Sequence, residues 1–201
     1  MKLFGTPGSP YVRKVRIVLA EKKIPYDFVI DRPSSPETRV PDFNPLGKVP
    51  VLIADDGRCI YDSAVIVEFL EGLVAEPRLI PQNFGDRIEV KRWEALGDGI
   101  ADATVAVSHD LREPKAQQQP AAWHARQRGK IERGLAAMER DLGNREFCHG
   151  TGFTLADIAA GFALGYLDHV LQDIDWRREF PALKALAARL SMRESFVVSK
   201  P

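Results

Sequence analysis

Residues 43–52, Phe-Asn-Pro-Leu-Gly-Lys-Val-Pro-Val-Leu, have the types and spacing that can bind an extended peptide. The Asn-Pro and Gly positions favour a turn, and the following residues predict a strand with Pro50 at its entrance, where a missing N–H is tolerated. An X–Pro bond adopts the cis form at little cost, and a cis bond here leaves the N–H and C=O of Val49 facing outward. Such an edge can pair with an added peptide strand. A plain turn before a buried strand is the alternative interpretation.

Two further pairs, Ser9-Pro10 and Asp62-Ser63, predict the starts of helices. Ser and Asp are favoured N-cap residues, and Pro is favoured at the first helical position. The N-terminus of a helix presents free peptide N–H groups and favours negative charge. Each pair therefore either caps a helix only, or caps it and also contacts a ligand.

The elements that would position these pairs form a small mixed sheet with two helices. The helix after Ser9 separates two strand patterns, and a helical crossover implies that those strands are parallel. The Asp55-Asp56-Gly57 turn predicts an antiparallel hairpin, and the helix after Asp62 follows it. The strands are expected at residues 2–6, 26–30, 51–54 and 58–61.

The rest of the chain predicts helices only. The segment at residues 76–81 contains Pro77 and Pro81 and predicts a domain boundary. Thr154 and Asp157 have capping-box spacing, and the helix that they start is apolar almost all round, which is typical of the centre of a bundle. Residues 196–201 have the character of a loose tail. We therefore expect one domain at 1–75, a linker at 76–85 and an all-α domain at 86–201, with helices at 86–112, at 120–142, from 154 to about 168, and after Pro181.

Composition excludes several classes of protein. The 201 residues are 45% hydrophobic and 28% charged, which is typical of a globular protein with its own core. The formal net charge of +0 argues against nucleic-acid binding. Cys59 and Cys148 form no paired motif, so they indicate a reducing compartment and no metal site. No signal-peptide pattern or membrane-spanning run is present in the sequence, and we expect a cytoplasmic protein without a membrane partner.

Four motifs together resemble the cytosolic glutathione S-transferase superfamily, in its serine-type, bacterial form. They stand in the family's order and spacing across essentially the whole chain. The resemblance implies an α/β thioredoxin-like N-terminal domain plus an all-α helical-bundle C-terminal domain, with glutathione as co-substrate, no metal, and commonly a homodimer. The motifs are Ser-Pro-Tyr-Val-Arg-Lys-Val at 9–15, Asn-Pro-Leu-Gly-Lys-Val-Pro-Val-Leu at 44–52, Asp62-Ser63, and Phe-Thr-Leu-Ala-Asp at 153–157.

The resemblance assigns roles to the N-terminal pairs. Ser9 matches the catalytic serine, whose hydroxyl donates to the glutathione thiolate. Val49 matches the residue before the cis-proline, here Pro50, and its backbone pairs with the glutathione cysteine. Asp62 and Ser63 match the acidic-Ser pair that binds the γ-glutamyl end, a role that suits a carboxylate facing an ammonium and a helix N-terminus facing a carboxylate.

Other assignments stay open. Lys48 matches a basic residue that contacts the glycine carboxylate in some members, and a solvated surface lysine is the alternative. Arg32 and Arg39 are candidates for a second basic ligand. Tyr11, with the long helix around residues 99–104, is expected near a small hydrophobic electrophile.

The implied activity is a glutathione transferase that activates the thiolate for conjugation, peroxide reduction or isomerisation, as in detoxification. A serine at position 9 argues against the disulfide exchange of cysteine-type members. The alternative is a non-catalytic family member with a binding or regulatory role.

Overall fold

The computed structural model describes residues 1–200, which group into two compact units. The first unit contains Met1–Leu79 together with the residues from Met192 onward, and the second contains Ile80–Ser191. The sequence-based ranges placed residues 192–201 with the helical domain, whereas the structure groups residues 192–200 with the N-terminal unit. Pro201 lies outside the described residues.

The first unit is built on a four-stranded sheet with the order β2-β1-β3-β4. β1 pairs in parallel with β2 and antiparallel with β3, and β3 pairs antiparallel with β4. The two central strands carry fully buried side chains, among them Leu3 and Leu52, which face each other across the ladder. The strands are β1 (Lys2–Gly5), β2 (Asp27–Ile30), β3 (Val51–Ile53) and β4 (Cys59–Ile60).

The helices of the first unit pack against this sheet or against one another. The helix that contains Val12 packs closely against the end of β1 because Gly5 lacks a side chain. A Cβ on Gly5 would lie 2.4 Å from a Cγ of Val12. Val15 and Leu19 on the same helix are fully buried. The helices are α1 (Pro10–Glu21), α2 (Val40–Phe43), α3 (Ser63–Leu73) and, near the C-terminus, α9 (Glu194–Val198).

All the secondary-structure elements of the second unit are helices. Its central helix, α6, is buried on nearly all sides, as its composition predicted. It packs very closely against α4, since Gly97 of α4 has no side chain. A Cβ on Gly97 would come within 2.6 Å of the carbonyl oxygen of Ala159 on α6. The helices are α4 (Phe84–Asp110), α5 (Ala121–Leu142), α6 (Leu155–Val170), α7 (Trp176–Glu179) and α8 (Pro181–Ser191), with a 3-10 turn at Lys115–Gln117.

The start of α6 shows why a buried carboxylate is present in this unit. Thr154 and Asp157 form the capping box that the sequence predicted. Asp157 also accepts hydrogen bonds from the peptide N–H of Cys148 at 2.8 Å and of Thr154 at 2.9 Å. Burial nevertheless raises the pKa of Asp157 above its usual value. These contacts tie the preceding loop to the helix, which is a structural role.

The prediction of a loose C-terminal tail is wrong for residues 196–200. Residues Glu194–Val198 form α9, and the side chain of Phe196 is only 2% exposed. The sequence pattern missed this helix because it is a single short turn, stabilised by contacts with α1 and not by its own periodicity. Among the described helices, none has the length and the apolar character that crossing a membrane requires.

Candidate functional site

Ser9 caps the N-terminus of α1. It adopts extended backbone angles, and its Oγ accepts a hydrogen bond from the peptide N–H of Val12 at 3.4 Å. A hydroxyl has one proton to donate and two lone pairs. The capping bond uses a lone pair only, so the half-buried Ser9 hydroxyl keeps its proton for an acceptor outside the helix. The sequence left open whether Ser9 caps the helix only or also contacts a ligand, and the two roles are chemically compatible.

Tyr11 is the second residue of α1 and is also half-buried. Its place in the first turn puts its backbone near Ser9. The helix N-terminus favours negative charge here, because the peptide dipoles of α1 add along the axis. An anion placed at this point is therefore stabilised by the helix as well as by the Ser9 hydroxyl.

Val49 precedes β3 and has the free peptide groups that strand addition needs. The Val49–Pro50 peptide bond is cis, and Pro50 is buried. Within residues 1–200, no other peptide group hydrogen-bonds to the N–H or C=O of Val49. Buried peptide groups are almost always paired, so a free pair at the start of a strand is available to a ligand backbone.

Asn44 holds the loop that carries Val49, and the sequence reasoning did not single it out. The side chain is 2% exposed; its Nδ2 donates to the carbonyl of Lys48 at 2.8 Å, and its Oδ1 accepts from the N–H of Leu46 at 3.0 Å. Its own carbonyl accepts from Gly47, whose φ of 61° favours glycine. Asn side chains commonly accept a hydrogen bond from the backbone two residues later in turns, and this preference could have identified Asn44 from the sequence.

Asp62 and Ser63 start α3. Asp62 is the exposed N-cap, and its Oδ1 accepts from the N–H of Ala64 at 3.1 Å. Ser63 is the first helical residue and is only 4% exposed. Its hydroxyl can donate one hydrogen bond. Together with the helix N-terminus, it forms a site suited to a carboxylate, beside an acidic group suited to a cation.

The basic candidates are all exposed. Lys48 lies in the loop that Asn44 holds, with its side chain in solvent. Arg39 donates to Asp42 at 3.4 Å, and its guanidinium lies 5.5 Å from the centre of the Phe43 ring. Arg32 is exposed in the preceding loop. The structure gives the side chain of Arg39 local partners and leaves those of Lys48 and Arg32 in solvent.

Sheet topology brings Ser9, Val49 and Asp62-Ser63 to one edge. β1 and β3 are antiparallel with Phe4 opposite Val51, so the end of β1 lies beside the start of β3. β4 runs antiparallel to β3 with Ile60 opposite Leu52, so the end of β4 lies at the same edge. The residues after β1, before β3 and after β4 therefore meet there. This edge offers a hydroxyl donor, a free peptide group and a helix N-terminus to one extended molecule.

No group of metal-ligating side chains is present among residues 1–200. His124 and His149 instead pair with single carboxylates, Asp110 at 2.7 Å and Asp86 at 3.0 Å. These two histidines link helices and loops of the second unit.

A thioredoxin-like unit followed in the chain by a helical unit defines a broad class of proteins, and comparison with known families narrows it. Residues 3–78 match the family model described as glutathione S-transferase, N-terminal domain, and residues 121–189 match glutathione S-transferase, C-terminal domain. The chain belongs to the glutathione S-transferase family. The resemblance and the fold class stated from the sequence are confirmed.

Relatives in bacteria and plants match over nearly the whole chain. The chain is 38% identical to the uncharacterized GST-like protein YibF of Escherichia coli, covering 100% of this chain and 98% of that one. It is 31% identical to glutathione S-transferase U8 of Arabidopsis thaliana, covering 92% and 81%. A glutathione S-transferase structure from Methylobacillus flagellatus with glutathione bound has a TM-score of 0.96 and 46% identity, covering 100% and 98%. One from Methylobacterium radiotolerans, in complex with glutathione sulfonate, has a TM-score of 0.94 and 44% identity, covering 100% and 94%.

Proposed function

We propose that this protein is a glutathione transferase that binds glutathione along the sheet edge and activates its thiolate for attack on a small hydrophobic electrophile. The observation that carries the proposal is the convergence at one edge of a free peptide group, a spare hydroxyl proton and a helix N-terminus with the nearly buried Ser63 in its first turn. Relatives whose structures contain glutathione or its sulfonate share this fold over the full chain.

Each part of glutathione has a partner in this proposal. The peptide N–H and C=O of Val49, held before Pro50, pair with the backbone of the cysteine residue. Ser63 and the N-terminus of α3 bind the γ-glutamyl carboxylate, and Asp62 binds the ammonium group. Lys48 is the proposed partner of the glycine carboxylate.

Ser9 is the proposed catalytic residue. A free thiol is mostly protonated at neutral pH, and its thiolate is the nucleophile. The Ser9 hydroxyl donates a hydrogen bond to the sulfur, and the N-terminus of α1 favours its negative charge, so both lower the pKa of the bound thiol. Tyr11, in the same helical turn, is proposed to contact the electrophile.

Glutathione titration by calorimetry tests binding, with Ser63→Ala as the site variant and the exposed Ser191→Ala as its matched control. A hydrogen bond to a charged group contributes about 1.5–3 kcal/mol, so Ser63→Ala should weaken binding by at least about tenfold. Ser191→Ala should bind like wild type. Failure of the wild-type protein to bind glutathione would overturn the proposed function.

Ser9→Ala separates the catalytic proposal from a non-catalytic binding or regulatory role. Loss of one donor to a developing anion costs about 10²–10³-fold in kcat. We expect such a loss for conjugation of glutathione to a nitroaryl halide, with a smaller change in the KM for glutathione. If every activity that wild type shows survives Ser9→Ala unchanged, the catalytic role of Ser9 is wrong.

We also propose a homodimer in the cytoplasm. The resemblance to the family implies a dimer, and the exposed side chains of Leu46 (70%) and Phe84 (78%) are proposed as contacts of it. The free cysteines are consistent with a reducing compartment. Sedimentation equilibrium measures the mass in solution, and a monomer at all concentrations would contradict the dimer.

A further inference from the structure

The C-terminal residues form a strap along α1, the helix that carries Ser9 at its N-terminus. The strap comprises Met192–Lys200 and includes α9. Its first anchor is Glu21, in the last turn of α1. Glu21 accepts two hydrogen bonds from the Arg193 guanidinium, from Nε at 2.5 Å and from Nη2 at 2.7 Å, and a third from the hydroxyl of Ser195. The Glu21 side chain is only 9% exposed, whereas that of Arg193 is 42% exposed, so solvent reaches the guanidinium side of this pair.

The second anchor lies in the middle of α1. Arg16 donates to the carbonyl of Val198 at 2.7 Å and to that of Ser199 at 3.3 Å. The last carbonyls of a helix lack partners within the helix, and a cation there is also favoured by the dipole. Arg16 therefore caps the C-terminal end of α9, while its guanidinium lies 5.0 Å from the centre of the Phe28 ring on β2.

The third anchor is the nearest to Ser9. Phe196 is 2% exposed, and the guanidinium of Arg13 lies 5.8 Å from the centre of its ring. Arg13 is one helical turn from Ser9, and its peptide N–H donates to the Ser9 carbonyl at 3.0 Å. The strap thus contacts α1 in three successive turns, the first of them adjacent to the capping residue.

We propose that the strap positions α1 so that the Ser9 hydroxyl is aligned with the glutathione sulfur. A helix of 12 residues moves as one rod about 18 Å long, so anchors along its length fix the position of its N-terminus. The hydrogen bond from Ser9 to the sulfur depends on that position, whereas the contacts of Val49 and Ser63 belong to other segments. The inference rests on the proposed function of Ser9, and it makes Arg193 and Phe196 positioning residues.

The test compares Arg193→Gln with Arg177→Gln in the full-length protein. The two arginines are matched, because each forms a bidentate pair with one carboxylate and is about equally exposed, at 42% and 46%. Arg177 binds Asp168, and both belong to the helical unit, whereas the strap belongs to the first unit. Glutathione affinity, kcat and KM with a nitroaryl halide, and the pKa of the bound thiol from thiolate absorbance are measured for each. Phe196→Leu, checked for folding by circular dichroism, is a second strap variant.

We expect Arg193→Gln and Phe196→Leu to raise the pKa of bound glutathione towards that of free glutathione and to lower kcat by about tenfold, since small misplacements of a reacting group are costly. The KM of these two variants for glutathione should change little. The Arg177→Gln variant should keep the thiol pKa, kcat and KM of wild type. An unchanged thiol pKa in both strap variants would overturn this inference alone. Absence of glutathione binding by wild type would overturn the proposed function and this inference with it.

Discussion

Asn44→Asp provides a test of how the Val49 loop is held, because it changes one atom of a buried clamp. In wild type, Nδ2 donates to the Lys48 carbonyl at 2.8 Å and Oδ1 accepts from Leu46 at 3.0 Å. The new carboxyl keeps the acceptor but loses the donor. When ionised, it faces the Lys48 carbonyl and repels it. When protonated, its O–H restores the donor.

The magnitude follows from the buried carbonyl that loses its partner. An unsatisfied buried group costs about 1–3 kcal/mol. If the loop avoids this cost by displacing Val49, and rebinding glutathione must restore it, binding at neutral pH should weaken by roughly 5- to 150-fold. Burial and the facing carbonyl place the pKa of the new carboxyl above the usual Asp value of about 4. Affinity should therefore recover as the pH falls through that raised pKa, which wild type should not show.

Calorimetric titration with glutathione across a pH series measures this effect. Asn144→Asp, in an exposed turn of the helical unit, is the matched control and should follow wild type at every pH. Asn44→Ala should bind weakly at all pH values, because alanine restores neither bond. Wild-type affinity of Asn44→Asp at neutral pH would refute the clamp, as would a loss that acid does not reverse.

Three further expectations concern buried charges and thiols. Lys22→Met or Glu71→Gln should lower the free energy of unfolding in urea by about 3–5 kcal/mol, because each breaks a buried ion pair of 2.7 Å and leaves one charge without its partner. A thiol reagent should label Cys59 in the native protein and Cys148 only after unfolding, because burial excludes the reagent and raises the pKa of Cys148 well above its usual value. Burial raises the pKa of Asp157 above its usual value of 3.8, so the folded state favours the protonated carboxyl. The stabilisation linked to this proton is present in full below pH 3.8 and is lost as the pH rises through the raised pKa. The unfolding free energy of wild type minus that of Asp157→Asn should therefore fall as the pH rises through this range.

Each expectation has a result that contradicts it. If both ion-pair variants lose less than about 1 kcal/mol of unfolding free energy, the Lys22–Glu71 pair contributes no more than an exposed surface pair, which would contradict the expectation. Equal labelling rates for the two cysteines would contradict the burial of Cys148. A difference between wild type and Asp157→Asn that stays constant, or increases, with rising pH would contradict the raised pKa. Arg128→Gln, which removes a more exposed pair with Asp173, is a suitable control for the first experiment.

Local signals in the sequence were sufficient for most of the fold. Helix starts at Ser9, Asp62 and Thr154 were predicted because capping depends on a few neighbouring residues, and the structure shows a cap at each. The hairpin around Gly57 and the buried α6 followed from turn residues and from periodicity in the same way. The strand after Pro25 begins at Asp27, one residue later than expected, which is within the usual uncertainty of element ends.

The sequence by itself determined most of the elements, the family and the candidate residues Ser9, Val49 and Ser63, because these depend on residue type and local spacing. Only the tertiary structure decided the rest. It shows the hydrogen bond from Asn44 to the Lys48 carbonyl, the near-complete burial of Ser63 at the start of α3, and the pair between Arg193 and Glu21. Glu21 and Arg193 are 172 residues apart in the chain. No local pattern encodes such a contact, since its free energy appears only when folding has brought the two segments together.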